Sequence, residues 1–403
     1  MGFSFVHGAD LHLGSSFSGI KFLPKELHQR VLNAHLTAFE KLIDFCLSEK
    51  VEFLVLAGDT FHEPTPSLRM QKVFIDQLER LAAAKIDVFI VTGNHDSGVF
   101  ANFVFNLPSN VYTFPTDQVG YYQRQYGQEA IDIYGISYPQ AQVKSSLLPL
   151  FPKPKSDRFS LGILHCDVGG GQDSSYAPVS SSELNSSGHD YWALGHVHTP
   201  VLNSNNKWYY PGVLQGSHLL EVGEKGFYHV VYQDKVLKPK FIPVQDIIWQ
   251  SCTLDISQLS FEEVTNLIIE QKEECRQTQG VGTMLQINLV GNTDLNNWLD
   301  NQVEMQELLD TLQVNESARN NFVWIYQIEN HTRPLVDLSQ LQKQGDFLAE
   351  VLDFMDQLTV EDFAKLEQIW EPVLNTTCVT IEPQEVISKA KLRAALLLRG
   401  ELE

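Results

Sequence analysis

No apolar run in this 403-residue sequence approaches the roughly 18 residues needed to span a bilayer, so a helical membrane protein is not expected. Its first residues, MGFSFVHGADLHLG, lack the basic segment, long apolar segment and small-residue cleavage site of a secretory signal. Val6 stands where a myristoylation pattern requires Ser or Thr. Cysteine is scarce: Cys46, Cys166, Cys252, Cys275 and Cys378 form no CxxC pair and are odd in number. Neither a zinc clip nor a disulfide framework is therefore suggested, and a reducing cytoplasm is the expected location. Basic residues are also few, 29 Lys+Arg against 50 Asp+Glu, for a net charge of -21. Residues 1–245 carry 19 basic against 23 acidic residues, and 246–403 carry 10 against 27. So acidic a chain repels polyanions at long range, which argues against a broad non-specific nucleic-acid surface.

What is present is a run of buried-strand patterns. Apolar segments rich in β-branched and aromatic residues recur at 3–9, 52–57, 87–92, 131–137, 159–165 and 190–195. Helix-period stretches at 25–49 and 67–84 separate the first three, giving a β-α-β-α-β start. Strand patterns at 207–211, 226–233 and 236–244 have hairpin-like spacing and predict a second sheet completing a first domain. After Pro243 a strand at 246–256, a helix at 261–277, a strand at 283–290, a helix at 302–313 and a strand at 321–329 predict a small α+β domain. Only helical patterns follow, at 339–357, 359–374 and 383–399. The expected division is 1–245, 246–334 and 335–403, and the expected class is α/β: a two-sheet sandwich flanked by helices, a small α+β capping domain and a helical C-terminal tail. Gly169 to Ser175 reads as the most flexible loop.

Polar residues follow the predicted strands directly, where α/β sheets place their ligands. Asp10 and His12, two apart at a strand end, share a face and can chelate one ion. The two oxygens of Asp59 suffice to bridge two ions, Asn94 offers a carbonyl oxygen, and His165, His196 and His198 offer neutral imidazoles. Nitrogen and oxygen donors without a thiolate suit a borderline or hard divalent ion. Each cluster alone has an ordinary explanation: an Asp after a strand caps a helix, and a lone His in an apolar run is a satisfied core residue. Their conjunction at successive strand ends does not.

The order D-x-H, G-D, G-N-H-D, H and G-H-x-H resembles that of the calcineurin-like metallophosphoesterases. The forms DLHLG (Asp10 to Gly14), GDTFHEPTPS (Gly58 to Ser67), GNHD (Gly93 to Asp96) and GHVHTP (Gly195 to Pro200) are similar to those of SbcD-type, YhaO-like DNA repair nucleases. The resemblance rests on residues 1–245 and implies a metallophosphoesterase sandwich there. It implies that Asp10, His12, Asp59 and His198 hold one metal and Asp59, Asn94, His165 and His196 the other. Two departures, Thr65 where relatives often carry Arg before the proline and HCD at His165 to Asp167, bear on substrate preference and touch no ligand.

Three further residues are assigned to the chemistry. His95, beside Asn94, is placed near the scissile phosphate as a charge-stabilising or proton-donating group, with Asp96 as the partner that fixes its tautomer. His62 matches a position where relatives carry a second phosphate-facing histidine. His7, His28, His35, His189, His218, His229 and His331 are read as structural or surface residues. The expected cofactor is a pair of divalent ions, Mn2+ first, with Mg2+, Fe2+ and Zn2+ as alternatives.

Three functions fit: a DNA exo/endonuclease whose capping domain controls duplex access, a phosphatase or phosphodiesterase for nucleotides or other small esters, and a non-catalytic regulatory subunit of an ATPase. Seven intact ligand positions argue against the last, and the acidic balance favours the second. Lys21, Lys25 and Arg30, and Lys153, Lys155 and Arg158, are candidate local basic patches for weak DNA binding. The final stretch sets Ile387, Ala390, Ala394, Leu397 and Leu398 against Lys389, Lys391, Arg393 and Arg399, a pattern for docking on a partner. The resemblance implies an SbcC-like coiled-coil ATPase as that partner and allows a homodimer.

Overall fold

The structure, a computed structural model, describes residues 2–17, 23–155, 157–171, 173–202, 205–335, 338–358 and 383–398. By compactness the chain divides into two units: Met1–Leu254 with Thr265–Asn288 and Val303–Glu329, and Asp255–Val264 with Leu289–Gln302 and Asn330–Glu403. Among the described residues no helix is long and apolar enough to cross a membrane.

In the first unit β1 (Gly2–Gly8), β2 (Phe53–Ala57), β3 (Asp87–Val91) and β4 (Val111–Thr113) lie parallel in that order. The crossovers α1 (Lys25–Glu49) and α2 (Leu68–Ala83) join the first three. Alternation along β2 explains its near-continuous apolar sequence. Leu54 and Leu56 pack under Phe39, Leu42, Phe74 and Leu78 of the helices, while Phe53, Val55 and Ala57 face the other way. Ser67 closes the start of α2, its hydroxyl accepting from the Met70 N–H.

The second sheet contains β5 (Gly120–Tyr126), β6 (Glu129–Gly135), β7 (Phe159–His165), β8 (Tyr191–Gly195) and β9 (Trp208–Tyr209), in that order. Its inner face meets the first sheet in an aromatic layer, where Phe5 stacks on Phe53 at 4.7 Å and meets Tyr191 edge-on at 5.3 Å. Its outer face packs Leu164, Trp192 and Leu194 with Leu184 of α3 (Ser181–Ser186). The hairpin β10 (Gly226–Gln233) and β11 (Val236–Pro243) departs from expectation. It does not build the second sheet; β10 pairs antiparallel with β1, and the first sheet becomes six-stranded. The reason is the edge of β1: Phe3, Phe5 and Val6 are buried, and leaving that edge unpaired would strand its backbone groups beside the core.

β12 (Ile247–Asp255), β13 (Gly282–Thr293) and β14 (Val323–Pro334) form a three-stranded sheet, with α4 (Phe261–Gln279), α5 (Asn296–Leu299) and α6 (Gln302–Gln313) between them. Its alternation follows the sequence pattern closely. Within the first unit Leu27, Val31 and Ala34 of α1 pack on Ile247, Trp249, Met284 and Phe322, so α1 is apolar on two sides. Arg30 reinforces this contact: Nε donates to Asp246 Oδ2 at 2.9 Å, and the guanidinium lies 5.0 Å from the Phe322 ring. Arg30 is thereby removed from the expected basic patch, as is Arg158, which pairs with buried Asp132 at 3.2 Å. Lys21 lies outside the described residues, and Lys153 and Lys155 are exposed.

In the second unit α7 (Leu338–Gln342), α8 (Phe347–Asp356) and a terminal helix, Pro383–Leu398, enclose Leu341, Leu348, Leu352 and Ala395. The helix expected at 359–374 lies outside the described residues. The apolar stripe expected on the terminal helix is shifted: Ala395 and Leu396 are buried, while Leu397 and Leu398 are exposed.

His7, centred in β1, is fully buried, with Nδ1 at 3.0 Å from Tyr191 Oη and Nε2 at 3.1 Å from the Leu194 carbonyl. Burial, partly offset by the Leu194 carbonyl, lowers its pKa from 6.5 to about 3. The unfolded chain therefore binds a proton here between those values and the folded chain does not. Stability is full above pH 6.5 and falls by roughly 1.4 kcal/mol per pH unit as the pH drops toward 3. Urea unfolding between pH 7 and 5 is expected to lose about one proton's worth of slope in His7→Gln. An unchanged slope would show that His7 takes no part in acid unfolding.

Candidate metal centre

Every sequence-assigned donor stands at or just past the C-terminal end of a parallel strand: Asp10 and His12 after β1, Asp59 after β2, Asn94 after β3, His165 ending β7, and His196 and His198 after β8. The β1–β2 ladder extends past both strands through Asp10 N to Gly58 O and His12 N to Asp59 O, each 3.0 Å. The backbone here is strained. Asp10, His12, Asp59 and His196 have φ of 50, 44, 50 and 109°. Such conformations cost a non-glycine residue roughly 1–3 kcal/mol each and persist where the surroundings over-determine them.

The side chains converge. His12 Nε2 lies 3.2 Å from His198 Nε2 and 3.9 Å from Asp59 Oδ2. His165 Nε2 lies 2.9 Å from Asn94 Oδ1 and 3.4 Å from Asp59 Oδ2. Asp10, His12 and His198 form one tight donor group, and Asp10, Asp59 and His165 another. Two donors each bonded at about 2.1 Å to one cation sit about 3.0–3.4 Å apart, so the His12–His198, His165–Asn94 and His165–Asp59 spacings suit divalent ions held by nitrogen and oxygen, while the 3.9 Å from His12 to Asp59 is wider. The His196 ring stands 5.3 Å from that of His165, centroid to centroid, and its backbone N–H donates to both oxygens of Asp10 at 3.0 Å.

Tautomers are set from behind. His165 Nδ1 donates to the Ala57 carbonyl at 3.0 Å, and His198 Nδ1 meets Glu221 Oε1 at 2.5 Å, which leaves each Nε2 facing the donor groups. The motif glycines make room for His165. A Cβ on Gly58 would stand 2.3 Å from its Nδ1, and one on Gly93 would stand 2.3 Å from Asp59 Oδ1 and 2.8 Å from the same ring. Gly93→Ala is therefore expected to displace Asp59 or His165, at about 1–3 kcal/mol, and to lower the bound-metal stoichiometry measured by elemental analysis. Full metal content in that variant would contradict this reading of the cradle.

His62 and His95 stack at 5.3 Å and 22°, and His95 meets His12 edge-on at 4.9 Å, so both assigned histidines reach the cluster. Asp96 does not orient His95 as expected. It is fully buried, with Oδ1 accepting from Gly93 N at 2.7 Å and Oδ2 from Thr60 N at 2.8 Å. Its carboxylate ties the turns after β2 and β3 together. The partner of His95 Nδ1 is instead the His62 carbonyl at 3.2 Å, so in the neutral ring Nδ1 carries the hydrogen and Nε2 is open.

Burial is the main influence on the protonation of these groups. It raises Asp10 to about 6 against the opposing charges of His165 and His198, and raises Asp96 to about 7 with help from Asp59. It lowers His196 to about 4 and holds His12 well below the usual imidazole range, the neutral state a ligand requires. Burial also lowers His198, but its hydrogen bond to Glu221 and the Asp10 charge outweigh that and leave it raised.

Two residues near the donors carried no motif. Glu221 follows His198 by 23 positions, and the Tyr176 ring, one residue past the expected Gly169–Ser175 loop, lies 4.5 Å from the His196 ring, centroid to centroid. His218, read as a surface residue, stands 3.7 Å from Glu221. The dismissal of His189 agrees with its placement: it bonds Ser160 at 2.7 Å, at the opposite end of β7 from His165.

The profile of the calcineurin-like phosphoesterase family matches residues 3–200, and that of the metallophosphoesterase YhaO middle domain matches 249–333. The uncharacterized metallophosphoesterase YhaO of Bacillus subtilis is 28% identical over 409 aligned residues, covering 99% of this chain and 98% of its own. The DNA double-strand break repair protein Mre11 of Saccharolobus solfataricus is 28% identical over 199, covering 48% of this chain and 49% of its own. A dimetal phosphatase structure from Danio rerio covers 60% of this chain and 98% of its own at 12% identity, with a TM-score of 0.36.

Proposed function

From the premise that residues 3–200 belong to the calcineurin-like phosphoesterase family and make the chain a metal-dependent hydrolase, we propose that it is a two-metal phosphodiesterase that cleaves DNA. The observation that carries this is the convergence of donors spaced 2.9–3.4 Å on strained strand ends. Asp10, His12, Asp59 and His198 would hold one ion and Asp59, Asn94, His165 and His196 the other, with Mn2+ the proposed metal. Such a pair supplies Lewis-acid polarisation of a phosphate oxygen and a water acidified toward neutrality. His95, held through Nδ1 on the His62 carbonyl and carrying a second proton on Nε2 in its cationic form, stabilises charge on the phosphate or gives that proton to the leaving oxygen, with His62 beside it. Asp96 holds the two turns that place His95 and Asp59.

DNA is favoured by the likeness to a DNA double-strand break repair protein and by a middle domain that a small ester does not require. In this reading residues 1–245 catalyse, 246–334 govern substrate access and 335–403 bind a coiled-coil ATPase of the SbcC kind in the cytoplasm. The exposed Phe347, Phe354, Leu397 and Leu398 support the last role. The test is incubation of the purified chain and Mn2+ with duplex DNA, single-stranded DNA and a generic phosphodiester. Metal-dependent cleavage of either DNA is expected. Cleavage of the generic ester alone would overturn the nuclease reading in favour of a small-ester enzyme, which the acidic charge would suit.

A further inference from the structure

Glu221 lies outside every motif, yet it is 7% exposed and its two oxygens are committed in different directions. Oε1 meets His198 Nδ1 at 2.5 Å, and Oε2 accepts from Ser217 N at 2.6 Å. The turn that carries it is pinned to the middle sheet within the first compact unit. Trp249 Nε1 donates to the Gly216 carbonyl at 3.0 Å, and Gly223 N donates to the Trp249 carbonyl at 3.2 Å. Gln215 completes the attachment, donating to Ile247 O at 2.6 Å and accepting from Asp246 N at 2.9 Å. An imidazole turns freely about its Cβ–Cγ bond unless its second nitrogen is held. A carboxylate in that position fixes the ring and makes the opposite nitrogen a better donor.

We propose that Glu221 is a positioning residue of the metal centre, holding His198 Nε2 toward His12 and Asp10, and that β12 fixes Glu221 through Trp249. The middle sheet is thereby part of the metal site's support. This rests on the two-metal reading but not on DNA as substrate. It also gives Trp249, whose ring is buried between α1 and the middle sheet, a second task beyond packing.

The experiment is titration of the metal-free full chain with Mn2+ alone, by calorimetry and by the electron paramagnetic resonance of free Mn2+. Glu221→Gln keeps the shape and an acceptor for Ser217 N but removes the charge. It is expected to weaken one of two Mn2+ ions by about 10–100-fold while the metal-free melting temperature is unchanged. Trp249→Phe, which deletes the N–H bonded to Gly216, is expected to weaken the same ion to a lesser degree and serves if the first variant fails to fold. Wild-type affinity for both ions in either folded variant overturns the proposal. Failure of the unaltered chain to bind Mn2+ overturns the two-metal reading instead.

Discussion

Asp59→Asn is expected to abolish metal-dependent phosphoesterase turnover and to release metal from the protein. Its Oδ2 lies 3.4 Å from His165 Nε2 and 3.9 Å from His12 Nε2, so it faces a histidine from each of the two donor groups, while Oδ1 accepts from the His95 N–H at 2.9 Å. An amide keeps the oxygen that the His95 backbone requires, so the turn should survive. It replaces the other oxygen with a donor facing two imidazole nitrogens and removes the negative charge that offsets two cations. Elemental analysis of the dialysed variant should therefore find less than the wild-type metal, and its turnover should match a metal-free control. Two tightly held ions in the variant would rule out a bridging role for Asp59.

His95→Gln should separate chemistry from coordination, reducing turnover by about 10²–10⁴-fold with metal content unchanged. The His95 ring is anchored by Nδ1 on the His62 carbonyl at 3.2 Å, so its Nε2 is free to meet a substrate oxygen. A glutamine can reach the same region but cannot exchange a proton near neutral pH. The alternative is specific, because His12, His62 and His95 also stand close enough together to hold an ion. Loss of one metal equivalent along with activity would make His95 a ligand. Parallel measurement of metal content and turnover decides between the two.

The donors were legible because strand-end chemistry is written locally: a buried run such as FLVLA ends in Gly58-Asp59, and fold geometry sends every such end to one edge. β4 and β5 were not legible. β4 is three residues long, and β5, GYYQRQY, alternates half-buried and exposed positions that carry Gln and Arg among the tyrosines. The hairpin of β10 and β11 was seen as a hairpin, but strand pairing across more than 200 residues leaves no local trace. Adjacency in sequence misled in the case of Asp96: the side chain next to His95 points into buried N–H groups, and a backbone carbonyl 33 residues away does the orienting. Glu221 was invisible for the same reason, since its acidic character gains meaning only when folding brings His198 to it.

The tie between α1 and the middle sheet has a consequence for how the protein opens and unfolds. Arg30 bridges Asp246 and the Asn320 carbonyl, and the Trp249 and Phe322 side chains are buried against the same helix. This part of the middle domain is thus built into the wall of the catalytic body. It is not a flap swinging on a tether. Residues 246–254 and α1 should therefore lose their structure together, because neither can separate without exposing the apolar face they share. Amide hydrogen exchange along α1 and the start of β12 should then report one common opening event instead of two.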